Sequence, residues 1–117
     1  MDLRPRRQGD VIVLGPAGRV DHLNSDEFLA AVEPHLAQCE AGGVALLFDL
    51  SSVEYMSSSG LRVLMLAAKQ AKPRGGRVAV AAPQALVAEV LEISRFNLVF
   101  PIHASVDEGL RALAATP

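Results

Sequence analysis

One apolar run, Val44-Ala45-Leu46-Leu47-Phe48-Asp49-Leu50, constrains the fold of this chain more than any other feature. Its side chains do not alternate between apolar and polar, as those of a strand with one solvated face would. An unbroken apolar run of this kind is typical of a strand that is buried on both faces of a sheet. We therefore predict a central strand with parallel neighbours, and with it an α/β fold.

Strand-like and helix-like patterns alternate around this run in the order β(β)αβαβαβα. Residues 1–8 are either a loose arm or an edge strand that pairs back across the turn Gly9-Asp10. The order predicts a single domain over residues 1–117, with a mixed, mostly parallel sheet of about four to five strands and helices packed mainly on one face. If every crossover moves in the same direction, all the helices lie on that face. The remaining strands are predicted at Val11–Leu14, Arg77–Ala81 and Leu98–Phe100.

Local signals set the predicted helix boundaries. The segments Asn24–Glu27 and Ser105–Glu108 have the spacing of a capping box. Phe28, Val32, Leu36 and Cys39 recur at helical spacing, which predicts a core-facing side of the first helix and a buried Cys39 thiol. Pro34 lies inside this pattern, so we expect a kink or a break near Glu33. Other predicted boundaries are a second helix from near Ser59–Leu61 to Lys72, with basic residues at its C-terminal end, and Pro83 in the first turn of the third helix.

Composition and charge exclude several classes of function. The net charge of −2 argues against a general nucleic-acid or membrane-surface binder. The single Cys39 excludes an internal disulfide and suits a reducing compartment. No apolar run approaches the ~20 residues of a membrane span, and the basic N-terminal residues lack the apolar segment of a secretory signal. We expect a soluble cytoplasmic domain.

Catalytic, cofactor-binding and metal-binding patterns are absent from the sequence. His22, His35 and His103 are far apart and lack metal-ligand spacing. No glycine-rich phosphate loop and no Gly-x-Ser-x-Gly motif occur. An enzyme that uses Ser59 with His22 would need a base and an oxyanion site that the sequence does not supply. We predict a protein that is not an enzyme and that has no cofactor, no metal and no catalytic residue.

Three consecutive serines, Ser57-Ser58-Ser59, stand between the central strand and the second predicted helix. One hydroxyl there is enough to cap the helix, and Ser57 or Ser58 is the predicted cap. Gly60 follows directly and allows another backbone to approach closely. The carboxyl end of a central strand is also where open α/β sheets place functional loops. Capping and a modifiable surface site both remain open on these grounds.

Several blocks, in order along nearly the whole chain, resemble the STAS domain of bacterial anti-sigma factor antagonists. The serine block Ser57-Ser58-Ser59-Gly60-Leu61 is similar to the Asp-Ser-Ser-Gly-Leu signature of that family, with Ser57 in the place of the usual aspartate. The other matching blocks are Gly18-Arg19-Val20-Asp21, residues 47–56, Gly75-Gly76-Arg77-Val78, and Val90-Leu91-Glu92-Ile93 through Phe100-Pro101-Ile102.

The resemblance implies a regulatory binding module that works by partner switching in transcription. Its implied partner is an anti-sigma factor that is also a serine-protein kinase, with a PP2C-type phosphatase as a further partner. The implied phosphorylation site is Ser59, with Ser58 as second choice. The alternative is a non-phosphorylated STAS scaffold, or a subunit of a stress-signalling or lipid-transport complex. Residues expected to bind the partner are Asp21, His22, Ser57, Ser58, Ser59, Gly60, Leu61 and Arg62.

Overall fold

A five-stranded sheet forms the centre of the computed structural model, which describes residues 1–114. A separate two-stranded ladder lies beside it. The strands are β1 (Arg6–Gln8), β2 (Val11–Leu14), β3 (Gly18–Val20), β4 (Ala45–Asp49), β5 (Val53–Met56), β6 (Val78–Ala81) and β7 (Ile102–His103). The α-helices are α1 (Ser25–Leu36), α2 (Ser58–Ala71), α3 (Ala85–Ile93) and α4 (Val106–Ala114).

The order of the main sheet is β1-β2-β4-β6-β7. Strand β1 is antiparallel to β2, whereas β2, β4, β6 and β7 are parallel. The hairpin over Gly9-Asp10 therefore forms, and the first residues contribute an edge strand. Strand β4 lies between β2 and β6, and its apolar residues Ala45–Phe48 are buried. The prediction of a mixed, mostly parallel sheet with this central strand is confirmed.

Helices cover both faces of the sheet, but unequally. Helices α1, α2 and α3 pack on the face that carries Phe48, and Phe28 of α1 meets its ring edge-on at 6.2 Å between centroids. Helix α4 packs on the other face, where Leu113 contacts the cluster that contains Leu47. The prediction of helices mainly on one face is confirmed, but α4 departs from the arrangement with all helices on that face. It covers apolar residues of β2, β4 and β6 that water would otherwise reach.

Helix α1 differs from its prediction at both ends. The helix shows no break at Glu33: it runs past Pro34 to Leu36, and the N–H of Ala37 donates to Glu33 O at 3.0 Å. Because Pro34 lies in the last turn, the helix loses one bond there and few residues follow. The predicted capping box is also wrong, since Asn24 makes no side-chain cap hydrogen bond.

The N-termini of α3 and α4 were both predicted from local sequence signals, and only that of α4 agrees with its prediction. The hydroxyl of Ser105 accepts a hydrogen bond from the N–H of Glu108 at 3.1 Å, so the predicted cap of α4 is confirmed. Pro83, however, precedes helix α3 rather than lying in its first turn. The residue before α3 is Gln84. Its side-chain amide donates to Ser51 O at 2.9 Å and so connects the start of α3 to the loop after β4.

The last strand lies later in the chain than predicted. Residues 96–98 form a 3₁₀ turn, and β7 pairs through Ile102 opposite Val80. The apolar pattern at 98–100 misleads because its members face different ways: Leu98 is exposed, whereas Phe100 is buried against Phe96 at 5.7 Å between ring centroids. Two buried rings thus fold the segment into a turn instead of a strand.

Two loops meet at the amino ends of β4 and β6, and we call residues 36–43 and 72–77 together the loop junction. The guanidinium of Arg74 donates to Leu36 O at 3.1 Å and to Ala37 O at 2.6 Å. This arginine therefore caps the C-terminus of α1, where the prediction placed it at the end of α2. Cys39 is buried there, as predicted, and burial raises the pKa of its thiol. The hydrogen bonds from Arg74 thus join the backbone of the first loop directly to the second loop.

None of the helices within residues 1–114 has the length and apolar character that a membrane crossing requires.

Candidate functional site

The two-stranded ladder of β3 and β5 positions the serine block. The strands are parallel, with Arg19 opposite Tyr55 and Val20 opposite Met56. Beyond the ladder, the N–H of Ser57 donates to Val20 O at 2.9 Å and fixes where α2 begins. Strand β5 is absent from the strands predicted from the sequence. Its residues do not alternate between buried and exposed: Val53 and Met56 are buried and the two residues between them are exposed.

Helix α2 starts one residue before the predicted range, at Ser58. Ser57 occupies the N-cap position with extended backbone, but no side chain caps the helix. The prediction that a serine hydroxyl caps α2 is therefore wrong. The hydroxyl oxygen of Ser57 is buried and has no hydrogen-bond partner within residues 1–114. The first N–H groups of α2, which no intrahelical carbonyl accepts, are left for an external acceptor.

The three serines have different environments. Ser58 is exposed, Ser59 is half-buried, and the hydroxyl of Ser57 is buried. The side chain of Ser59 lines a groove of about 290 Å³ between α1 and α2. We call this the α1–α2 groove; its lining residues are Ser25, Asp26, Leu29, Ser59, Arg62, Val63 and Leu66. Ser59 is thus the serine that combines access to solvent with a shaped surrounding.

Gly60 lies at the crossing of α2 and the ladder. A Cβ atom on this residue would lie 2.8 Å from Met56 Cγ, 2.9 Å from Val20 Cγ1 and 3.2 Å from Val20 O. Distances below 3.0 Å require the neighbours to shift. The sequence predicted that Gly60 lets another backbone approach closely, and the backbone that does so is that of Val20 in β3, whereas β5 approaches through the Met56 side chain.

Replacing Gly60 with alanine is expected to lower the stability by about 1–3 kcal/mol, because crowding at Val20 and Met56 outweighs the gain in helix propensity. Chemical denaturation of Gly60→Ala against the parent protein measures the change. Gly15→Ala is a matched control, since its Cβ would meet only the end of the Arg4 side chain at 3.4 Å. Equal stability of the two variants would show that the crossing has room to spare.

The loop after β3 is built around Asp21. Its carboxylate accepts a hydrogen bond from the N–H of Leu23 at 3.0 Å, and its own N–H donates to Asn24 Oδ1 at 2.9 Å. Asn24 also donates to Arg19 O at 2.8 Å, which explains why it does not cap α1. The loop therefore holds Leu23 outward, and that side chain is 80% exposed.

Arg19 forms the outer surface of the ladder. Its guanidinium lies 4.4 Å from the centre of the Tyr55 ring and 3.7 Å, through Nε, from Asp21 Oδ2. Stacking and ion pairing hold one cation over the strand that leads into the serines. Sequence reasoning missed Leu23, Tyr55, Ser25 and Asp26 as members of this surface. An exposed leucine directly after the Asp21-His22 pair is the signal that could have found the first of them.

The structure brings the predicted partner-binding residues to one edge of the molecule, around the carboxyl ends of β3 and β5. His22, Ser58 and Arg62 are exposed there, and Asp21 and Ser59 are half-buried. Leu61 is only 6% exposed and belongs to the main core, together with the backbone at Gly60. No cluster of three or more His, Cys, Asp or Glu side chains that could hold a metal ion lies within residues 1–114.

The STAS domain model matches residues 2–109, which is most of the chain. The chain belongs to the STAS domain family. Its curated relative BtrV of Bordetella bronchiseptica, a candidate anti-sigma factor antagonist, is 35% identical over 95 residues, covering 81% of this chain and 79% of BtrV. The STAS assignment and the fold expected from it are therefore confirmed.

Solved structures share the fold of this STAS protein. A candidate anti-sigma factor antagonist from Thermotoga maritima matches with a TM-score of 0.84 and 23% identity, over 94% of this chain and 92% of its own. The unphosphorylated form of the anti-sigma factor antagonist SpoIIAA matches with a TM-score of 0.76 and 16% identity, over 97% and 96%. The phosphorylated form of SpoIIAA from Bacillus matches with a TM-score of 0.68 and 17% identity, over 92% and 96%.

Proposed function

We propose that this STAS protein binds an anti-sigma factor that is also a serine kinase, and that phosphorylation of Ser59 releases it. The observation that carries the proposal is the position of Ser59. It is the second residue of α2 and is half-buried, at the edge where the Asp21 loop and the ladder meet. Two relatives support it. BtrV is named as a candidate anti-sigma factor antagonist, and SpoIIAA has a phosphorylated form.

The local environments favour Ser59 over its neighbours as the phosphate acceptor. A kinase cannot reach the hydroxyl of Ser57 without moving it out of the interior. Ser58 is exposed but does not line the α1–α2 groove, so a phosphate there would lack the surrounding that the groove gives to Ser59. Ser58 therefore stays the second choice.

Phosphorylation at this position changes the binding surface more than the fold. A phosphoserine carries about −1.5 to −2 charges. The unpaired N–H groups and the dipole at the start of α2 favour an anion there, so the domain keeps its structure. A partner that packs on the same edge would have to desolvate this dianion, which is costly unless the partner supplies matching charges. The phosphate therefore weakens partner binding, because the bound complex would bury an unmatched dianion.

The proposed partner surface carries both exposed apolar and exposed charged side chains. Leu23 is an exposed leucine on the hydrogen-bonded Asp21 loop, and Tyr55 is a partly exposed ring under the Arg19 guanidinium. Aromatic and arginine side chains commonly carry interface energy, and both Arg19 and Arg62 lie at this edge. The edge thus combines exposed apolar and charged side chains, which suits a protein partner. The proposed role is regulatory binding, with partner switching of a sigma factor as its outcome, and needs no catalytic residue.

Mapping the phosphate tests the proposal directly. The protein, incubated with the anti-sigma factor recovered with it from its native cells, ATP and Mg²⁺, is expected to gain one phosphate on Ser59, detected by mass spectrometry. Ser59→Ala is the matched control and is expected to gain none. Phosphate on Ser58 would move the switch by one residue. No phosphate on either serine would reject the switch.

Ser57 supports one alternative function. It occupies the place of the family's usual aspartate, and its buried hydroxyl supplies no carboxylate beside the acceptor. A STAS protein without that acid could serve as a non-phosphorylated scaffold, or as a subunit of a stress-signalling or lipid-transport complex. The same phosphate-mapping experiment separates the two functions, since the scaffold binds its partner stably in the presence of ATP and stays unmodified.

A further inference from the structure

Arg62 lines the α1–α2 groove and forms no ion pair with any of the residues that the structure describes. Arg62 is exposed, and within residues 1–114 its guanidinium has neither an ion pair nor a hydrogen bond. Other arginines at this end of the molecule are engaged: Arg19 is paired with Asp21, and Arg4 donates to Gly15 O. The side chain of Arg62 lines the groove together with Ser59.

We propose that Arg62 is the phosphate-binding residue of the phosphorylated protein, drawing the phosphate on Ser59 into the α1–α2 groove. The inference rests on the proposed phosphorylation of Ser59. Residues three apart on a helix have Cβ atoms about 5–6 Å apart, which an arginine side chain spans easily. The guanidinium fork matches two phosphate oxygens at once. Ser25, at the start of α1, places a further hydroxyl on the opposite wall.

Asp26 sets a limit on this interaction. It lies on the α1 wall of the same groove, exposed and without an ion pair within residues 1–114. Among the residues that the structure describes, Asp26 of α1 and Arg62 of α2 are the charged side chains that line the groove. A phosphate between them is attracted by one wall and repelled by the other. Asp26 thus weakens the net attraction of the groove for the phosphate.

The proposal gives Arg62 two states. In the unmodified protein its guanidinium has no partner within residues 1–114 and lies at the edge where the partner is proposed to bind. After phosphorylation it is occupied within its own chain. A single phosphate would therefore add negative charge to the surface and withdraw a cation from it, so that the partner loses attraction and meets repulsion together.

The test installs phosphoserine at position 59 by genetic encoding, so that no kinase is needed. A ³¹P NMR titration then gives the second pKa of the phosphate, ordinarily about 6. With Arg62→Gln we expect this pKa to rise by about half a unit or more, because a cation near the phosphate favours its dianion. Asp26→Asn is expected to lower it, and Arg62→Lys to restore part of the parent value.

Lys69→Gln is the matched control, since it removes one exposed positive charge from the same helix outside the groove. It is expected to shift the phosphate pKa by no more than about 0.2 units. Equal shifts for Arg62→Gln and Lys69→Gln would overturn the proposal. That result would leave the proposed function standing, because phosphorylation and partner release are measured separately.

Discussion

Replacing Ser59 with aspartate or glutamate is expected to weaken binding to the anti-sigma factor about a hundredfold, whereas Ser59→Ala keeps the parent affinity. The acidic side chain places a charge at the edge formed by the Asp21 loop and the start of α2. Burying that charge against a partner without a matching cation costs a few kcal/mol, and each 1.4 kcal/mol is about tenfold in Kd. Isothermal titration calorimetry of the three variants against the same partner measures the difference.

A second acidic substitution separates a local effect from one of net charge. Gln70→Glu adds one negative charge to the exposed surface of α2, near the opposite end of the helix from Ser59. It is expected to leave the affinity within about twofold of the parent, because salt screens charges at that separation. Equal affinities for Ser59→Asp and Ser59→Ala would reject the phosphorylation switch, even if the protein binds an anti-sigma factor.

The substitution with the largest expected effect on stability lies at the loop junction. A Cβ atom on Gly76 would lie 2.4 Å from Cys39 O and 2.9 Å from Cys39 Sγ. Neither neighbour can yield easily: Cys39 is fully buried with its N–H bound to Leu36 O, and the N–H of Gly76 is bound to Ala71 O. We expect Gly76→Ala to cost about 3 kcal/mol and to lower Tm by roughly 10–20 °C.

Gly42→Ala is the control for this junction. Its backbone has φ of +80°, but a Cβ there would meet no atom within 4 Å. The control therefore isolates left-handed backbone strain, about 1–2 kcal/mol, from the backbone clash at Gly76. Thermal unfolding followed by circular dichroism compares the two. If Gly42→Ala proves as destabilising as Gly76→Ala, the contact between the loops is not what limits position 76.

Patterns that reflect burial predicted the central fold well. The unbroken apolar run of β4 identified a strand buried on both faces, and the helical spacing of Phe28, Val32 and Leu36 identified the face of α1 that enters the core. Both signals arise from apolar surface removed from water, which tertiary context reinforces. The same reasoning correctly placed Cys39 in the interior.

Elements that depend on a few polar contacts were harder to predict. Asn24 has the sequence of a cap, but its amide bonds to the loop before the helix, and the choice between these partners is tertiary. Strand β5 is short, and its two middle residues are both exposed, so its sequence lacks the alternation of apolar and polar residues that indicates a strand. For the candidate site, the sequence identified residues that the structure brings to one edge, whereas Ser59 as the phosphate acceptor stays a prediction. The α1–α2 groove could not be predicted, because it depends on how two helices pack.

The β3–β5 ladder has a consequence for how the chain folds. The chain segment between its two strands contains α1 and β4, so closing the ladder brings together residues that are far apart in the sequence. Pairings of this non-local kind form slowly, and a short ladder at the margin of a sheet is among the first parts to open. The edge that carries Ser59 is therefore expected to form late in folding and to open early under mild denaturation. A protein that binds this edge would then also distinguish folded chains from incompletely folded ones.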